Sequence, residues 1–471
     1  MFHESDGILE ADYLVIGAGA MGMVFTDVMV MESQASVIMV DRHHQPGGHW
    51  NDAYPFVHLH SASANYGVNS SALGEDTIDS TGLNRGFYEH ASAAEICCYF
   101  DRVMRKQFLP SGRVRYFPMC DYVRDNSGGD GKFVSLISGA EQRVRIGGKI
   151  VDATFTDTAV PSRQPPSYAV APDMQCIPPN SLPSIGTHAE RYVVIGAGKT
   201  GIDACLWLLE HDVAPSRMTW IMPRDSWLID RTHVQPRAKF FDERMGALAL
   251  QTELIQQAES FQDLFRLLSE HGQLLRIDAR VAPRRFRCAT VSRAELEELR
   301  RITNVVRLGH VRSIESERIL LDGGAIATDA STIHIDCASS GIRSREPVPV
   351  FNNRLITLQA IRTCQQCFSS ALTAHIELSY ASEAEKNRLC KPIPLPMRDV
   401  DWLKTFVANL ENQQVWSRMP ELRSWIANSR LDPNYGRNPT PTAAESALVK
   451  RFKDGAGPAA KKLTELLSTM R

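Results

Sequence analysis

The chain has 471 residues, 43% hydrophobic and 23% charged, with a formal net charge of −2. That length calls for two or three globular domains, and the composition excludes wholesale disorder and fibrous architectures. So small a net charge, without long like-charged runs, offers no field for nucleic acid or an anionic membrane, and no apolar stretch is long enough to span a bilayer.

The first twelve residues carry Glu4, Asp6, Glu10 and Asp12, the wrong charge pattern for a secretory signal. Residues 13–16 are a short apolar run that predicts a strand. It ends in Gly17-Ala18-Gly19-Ala20-Met21-Gly22, and a helical apolar segment and a second strand, Val37–Val40, follow. In this G-x-G-x-x-G set the first glycine permits the tight turn, and the second lets the backbone approach a pyrophosphate. The third lets helix and strand pack closely, with the phosphate on the helix N-terminus. Asp41, 19 residues beyond Gly22 and followed by Arg42, stands where a carboxylate accepts a ribose hydroxyl.

Further on, His58 and His60 alternate on one face of a predicted strand, but no third ligand stands near them and no metal site is predicted. Residues 153–183 hold seven prolines and little periodicity, which suits a connection and places a domain boundary near residue 185. The module then recurs. A strand at 192–195 leads into Gly196-Ala197-Gly198-Lys199-Thr200-Gly201, an apolar helix and a strand at 218–222 ending in Pro223-Arg224. An arginine there meets a 2′-phosphate that a carboxylate would repel, which favours NADPH and leaves NADH as the alternative. Its competing reading is a solvated surface charge, or an ion pair with Asp225 or Asp230.

Leu254, Ala258, Phe261, Phe265 and Leu268 recur at helical spacing and predict one amphipathic helix, and Ser292-Arg293-Ala294-Glu295 reads as a capping box opening another. Short strands follow around Asp322-Gly323-Gly324, and residues 358–376 read as a helix on which Cys364 and Cys367 fill space. The ten cysteines show no framework spacing, so all are expected to be reduced and the location cytoplasmic.

Two complete glycine motifs about 180 residues apart, Gly47-Gly48-His49-Trp50, and Thr219-Trp220-Ile221 ahead of the basic residue carry a resemblance. Over residues 10 to 380 the chain resembles the two-dinucleotide-binding-domain flavoproteins, most closely the class B flavin-dependent monooxygenases. That resemblance implies FAD on the first module, with Gly48, His49 and Trp50 along it and the backbone of Val123 at the adenine. It implies a second approach to FAD at Ser340 and Gly341. It also brings residues 54–69 beside the flavin ring, where His60, Ser63 and Tyr66 are the expected polar groups. Arg231 on the nicotinamide side would form a second wall, and Phe261 and Phe265 would cap the opening. The group's linker pattern Phe-x-Gly-x-x-x-His-x-x-x-Trp/Tyr is missing before the second module, which marks a divergent branch.

The expected fold is α/β with two Rossmann-type units. An FAD-binding domain spans 1–185 and is completed by 335–395, an NAD(P)H-binding domain spans 186–334 with a helical insertion at 238–300, and a helical extension runs from 396 to 471. The resemblance implies a monooxygenase that oxygenates a small molecule with O2 through a flavin C4a-hydroperoxide. The alternative is an NAD(P)H-dependent flavin dehydrogenase, reductase or oxidase without oxygenation. Homo-oligomerisation is left open.

Overall fold

The computed structural model describes residues 4–5, 7–124, 131–158, 160–338, 341, 343, 345–438 and 440–469. After a two-residue strand at Glu4–Ser5 come β1 (Ile8–Ile16), α1 (Ala20–Glu32) and β2 (Val37–Val40), followed by β3 (Val114–Phe117) and β4 (Glu141–Asp152). These strands are parallel neighbours in the order β4-β1-β2-β3. Parallel strands covered on both faces require unbroken apolar runs, and every residue of β2 is buried. α1 likewise has almost no polar face. Its carboxylate at Asp27 is buried and accepts hydrogen bonds from Ser70 N (2.9 Å), Ser70 Oγ (2.5 Å) and Gln107 Nε2 (2.7 Å), which fixes the loop over the helix.

The second sheet is built from β5 (Gln175–Ile177), β6 (Arg191–Ile195), α2 (Lys199–Glu210) and β7 (Met218–Ile221), with two strands from further along. β5 precedes the boundary near 185 expected from the prolines, so the connecting segment itself supplies an edge strand. After β7 comes the insertion: β8 (Ser226–Asp230), α3 (Phe241–Gln257), α4 (Phe261–Glu270), β9 (Arg285–Val291) and α5 (Arg293–Arg300). β8 and β9 pair in parallel as a separate ribbon. The single helix expected through 254–268 is two helices, because the Ser260 side chain accepts from Asp263 N (3.1 Å) and opens a new one. The capping box of α5 has both of its bonds, Glu295 N to Ser292 Oγ (3.0 Å) and Ser292 N to Glu295 Oε2 (2.7 Å). β10 (Val305–Val306) and β11 (Thr332–Asp336) complete the parallel order β10-β7-β6-β11-β5.

The chain then returns to the first sheet. β12 (Leu355–Thr357) pairs with β4, and α6 (Gln366–Ser379) covers α1, with Ser370 Oγ donating to Met21 O (2.6 Å). Residues 358–365, expected as helix, form a loop. The Ser369 hydroxyl accepts from the N–H groups of Ile361 (3.1 Å) and Arg362 (3.2 Å), which holds the lead-in outside helical geometry. α7 (Asp399–Ser417) and α8 (Ala443–Ser468) pack on the insertion. Gly455 of α8 comes so close to α3 that a Cβ there would lie 2.3 Å from Thr252 Oγ1. Trp227, Phe265, Trp402 and Leu463 share one buried cluster with Phe261 against its edge, so these phenylalanines hold helices together instead of capping an opening.

Not all cysteines are reduced: Cys288 on β9 is disulfide-bonded to Cys364 in the 358–365 loop. Cys364 therefore does not fill space on a helix. The partners are 76 positions apart and show no framework spacing, so nothing in the residues pointed to the bridge. No helix among the described residues is long and apolar enough to cross a membrane.

Candidate active site

The two glycine turns use one device. A Cβ on Gly22 would lie 1.9 Å from Gly17 O, and a Cβ on Gly201 would lie 2.1 Å from Gly196 O. Nothing larger than hydrogen fits either place, so each helix begins directly against the end of its strand. Gly48 approaches the first turn so closely that its own Cβ would meet Gly19 Cα at 2.9 Å. Around Gly198 the space is open within 4 Å. Each turn stands at a helix N-terminus, the end that favours negative charge; the second is open at Gly198, whereas in the first a Cβ on Gly19 would lie 3.5 Å from Gly48 Cα. Asp41 Oδ2 accepts from Ala18 N (2.6 Å) and Oδ1 from His43 N (2.7 Å), which places the carboxylate beside the first turn.

The first turn opens onto a cavity of about 1370 Å³. Of the residues expected at a site, Gly17, Gly19, Ala20, Met21, Asp41, Arg42, Gly48, His49, Trp50, His60, Tyr66 and Lys199 line it. They share it with Leu248 and Gln251 of α3, Phe286 and Cys288 of β9, Cys364, and Trp402 and Phe406 of α7. Burial lowers the His49 imidazole to about 4 and that of His60, with help from Lys199 and Arg231, to about 3. Both rings are neutral near neutral pH and act by hydrogen bonding. Trp50 Nε1 donates to Tyr66 Oη (2.6 Å), and burial keeps that phenol protonated. Lys199 Nζ donates to Asp203 Oδ1 (2.5 Å), and Tyr54 Oη to Asp203 Oδ2 (2.6 Å), so the second turn carries a paired ammonium. Arg42 extends outward to Asp121 (2.7 Å).

Other expected residues lie elsewhere. Ser63 is fully buried behind the wall, its hydroxyl donating to Glu89 O (3.0 Å) and accepting from Ala91 N (2.8 Å). Arg231 is buried in a bidentate pair with Glu295 (2.7 and 2.9 Å) and donates to Asn84 Oδ1 (3.0 Å), which locks α5 instead of facing the cavity. Val123 points to solvent while its neighbours Tyr122 and Arg124 line the cavity. Gly22, Gly196, Gly198, Thr200 and Gly201 build the turns without lining the cavity, and Gly341 stands apart from it. Ser340 lies outside the described residues. No strand joins His58 and His60: His58 is exposed and only makes an isolated bridge to Ser92.

Arg224 is exposed just beyond β7, where Asp41 stands beyond β2. Neither suspected carboxylate pairs with it. Asp225 is held by Arg307 (2.8 and 3.0 Å) and Asp230 by Arg293 (2.9 Å), while Arg224 Nη2 meets the His310 ring (3.2 Å).

Sequence reasoning passed over two residues. Asn65 Oδ1, on the cavity wall, is a buried acceptor with no partner among the described residues. Arg430 is buried under the 64–68 turn, donating to Val68 O (2.7 Å), Ala64 O (2.9 Å) and Tyr66 O (2.5 Å). Asn65 lay inside the run already singled out but carried no distinguishing signal, and Arg430 lies more than 360 residues away.

Fold and site together define an α/β protein with two sheets built around parallel strands, each carrying a strand–glycine turn–helix unit. No family model matches the chain. Over 465 residues, 98% of its length and 85% of theirs, it is 49% identical to proteins of Mycobacterium tuberculosis and Mycobacterium bovis that are named as uncharacterized, and it belongs to their family. Solved structures similar to it include a flavin-containing monooxygenase from Stenotrophomonas maltophilia, at 14% identity and a TM-score of 0.46 over 79% of this chain and 99% of that one. The open form of cyclohexanone monooxygenase is 12% identical (TM-score 0.48, 98% of each chain), and a steroid monooxygenase bound to NADP is 13% identical (TM-score 0.47, 98% of each chain).

Proposed function

We propose that the chain is an FAD-dependent, NADPH-using monooxygenase that acts on a small molecule with O2 as co-substrate. The observation that carries this reading is a pair of strand–glycine turn–helix units with the same close packing at Gly22 and Gly201, the first opening onto a cavity of about 1370 Å³. Few architectures need two such turns. When bound, the cofactors supply hydride transfer and activation of O2, and the protein supplies binding, orientation and shielding.

In this reading the N-terminus of α1 receives the FAD pyrophosphate and Asp41 the adjoining ribose, while Gly48, His49 and Trp50 run along the cofactor. The backbone of Val123 and residues Ser340 and Gly341 are further contacts of the same proposal. Neutral His60 and the orphan Asn65 Oδ1 offer hydrogen bonds without adding a cation. Arg224, with His310 beside it, reads the 2′-phosphate. Leu248, Phe286, Trp402 and Phe406 exclude water from the substrate side.

Three measurements test the reading. The purified protein is expected to be yellow, with FAD released on denaturation, and the Gly19→Val variant colourless. NADPH-reduced protein mixed with 18O2 and a panel of amines, thioethers and ketones is expected to place label in a product. Stoichiometric H2O2 with no labelled product across the panel would assign the chain to the oxidases, and a colourless parent that takes up no FAD would end the flavoprotein reading altogether.

A further inference from the structure

We propose that Cys288 and Cys364 are a redox-active pair in the cavity wall, opened by exchange with small thiols and closed by exchange with small disulfides that enter the cavity. The inference rests on the cavity and the bridge, and stands apart from the identity of any cofactor.

Four observations carry it. Both cysteines are half-buried and line the cavity, so their sulfurs are within reach of small molecules. Their location is unusual in backbone terms: Cys288 has φ +56° and Cys364 φ +55°. Of the eight non-glycine residues with positive φ among those described, four are Asp or Asn, the types that tolerate this region, and these two cysteines are among the other four. Strained backbone of this kind persists where a site requires it. The bridge also joins separate parts of the fold, since Cys288 belongs to the insertion and Cys364 to the loop leading into α6. Opening it releases a tie between two walls of one cavity. Finally, Cys367, one turn beyond Cys364 and also on the cavity, is buried with its thiol pushed up to about 11. The thiolate is the attacking species, so this neighbour is a poor internal partner and an external thiol is the better one.

The chemistry balances. The thiolate of one small thiol attacks one sulfur of the bridge, the S–S bond breaks, and the other cysteine leaves as thiolate and takes a proton. A second small thiol attacks the resulting mixed disulfide. The products are two cysteine thiols and one small disulfide, and two electrons have passed from the small thiols to the bridge.

The test uses the full-length protein. Air-equilibrated protein alkylated in denaturant without reductant is expected to show eight modified cysteines of the ten, with a linked peptide holding Cys288 and Cys364. Native incubation with reduced glutathione before alkylation is expected to raise that number to ten, and to speed hydrogen exchange in residues 285–291 and 358–365. The Cys364→Ser variant, given oxidised glutathione, is expected to take up one glutathione at Cys288. The Cys288→Ser/Cys364→Ser protein should show the faster exchange without any thiol, and its circular dichroism reports whether it folds. Ten modified cysteines in the air-equilibrated protein would overturn the proposal. So would a bridge that glutathione opens only once the protein unfolds, or exchange in both segments that is unchanged by reduction.

Discussion

Replacing Arg430 by methionine removes all three donors under the 64–68 turn while keeping most of the side-chain volume. The carbonyls of Ala64, Tyr66 and Val68, now at 2.5–2.9 Å from the guanidinium, lose their partners. A buried polar group left without its hydrogen bond costs about 1–3 kcal/mol. The three losses share one side chain and do not add, so a total of about 3–5 kcal/mol is expected, set against a typical folding stability of about 5–15 kcal/mol. The fold survives in part, but the turn that presents Asn65 and Tyr66 loosens. Lysine at 430 keeps the charge yet lacks the planar fork, so it recovers less than half of the loss. Urea unfolding followed by tryptophan fluorescence measures this as a lower midpoint at unchanged slope. An Arg430→Met protein within about 1 kcal/mol of the parent would refute the assignment of this side chain as the clamp of the turn.

Gly22→Ala places a carbon where Gly17 O already lies 1.9 Å away, and is expected to abolish FAD retention, measured as flavin released per chain; parent-like flavin content would contradict the close packing of α1 on β1. Arg224→Ala is expected to raise KM for NADPH by about 10- to 100-fold and leave that for NADH unchanged, since a charge-assisted contact contributes about 1.5–3 kcal/mol. Equal loss with both cofactors would assign Arg224 to structure. Acid sensitivity follows from His49 and His60, held near 4 and 3 against about 6.5 when unfolded. Below about pH 6.5 the unfolded chain binds protons that the folded one refuses, so stability is fully present above that pH and falls as pH drops toward 3, by at most about 1.4 kcal/mol per unit and group. Partial exposure of both rings reduces that slope, and Tm measured against pH should flatten in His60→Asn.

Both glycine turns were legible from the residues alone, because strand, turn and helix are contiguous. The steric demand that selects glycine at 22 and 201 is set within six residues, and Asp41 and Arg224 follow at the end of the next strand. The same locality made the Ser292–Glu295 cap readable. Tertiary structure decided what fills the rest of the wall. Ser63 and Asn65 are two residues apart in one run, yet Ser63 spends its hydroxyl on the backbone around Glu89 and Ala91 while Asn65 keeps an open acceptor on the cavity. Arg231, expected to form a wall of the site, is instead paired with Glu295, 64 residues on. Arg430, and the bond between Cys288 and Cys364, depend on segments that meet only when the insertion and the C-terminal helices close over the first sheet. A side chain's chemistry is set by what desolvates and pairs it, and for these residues every such partner arrives from a distant part of the chain.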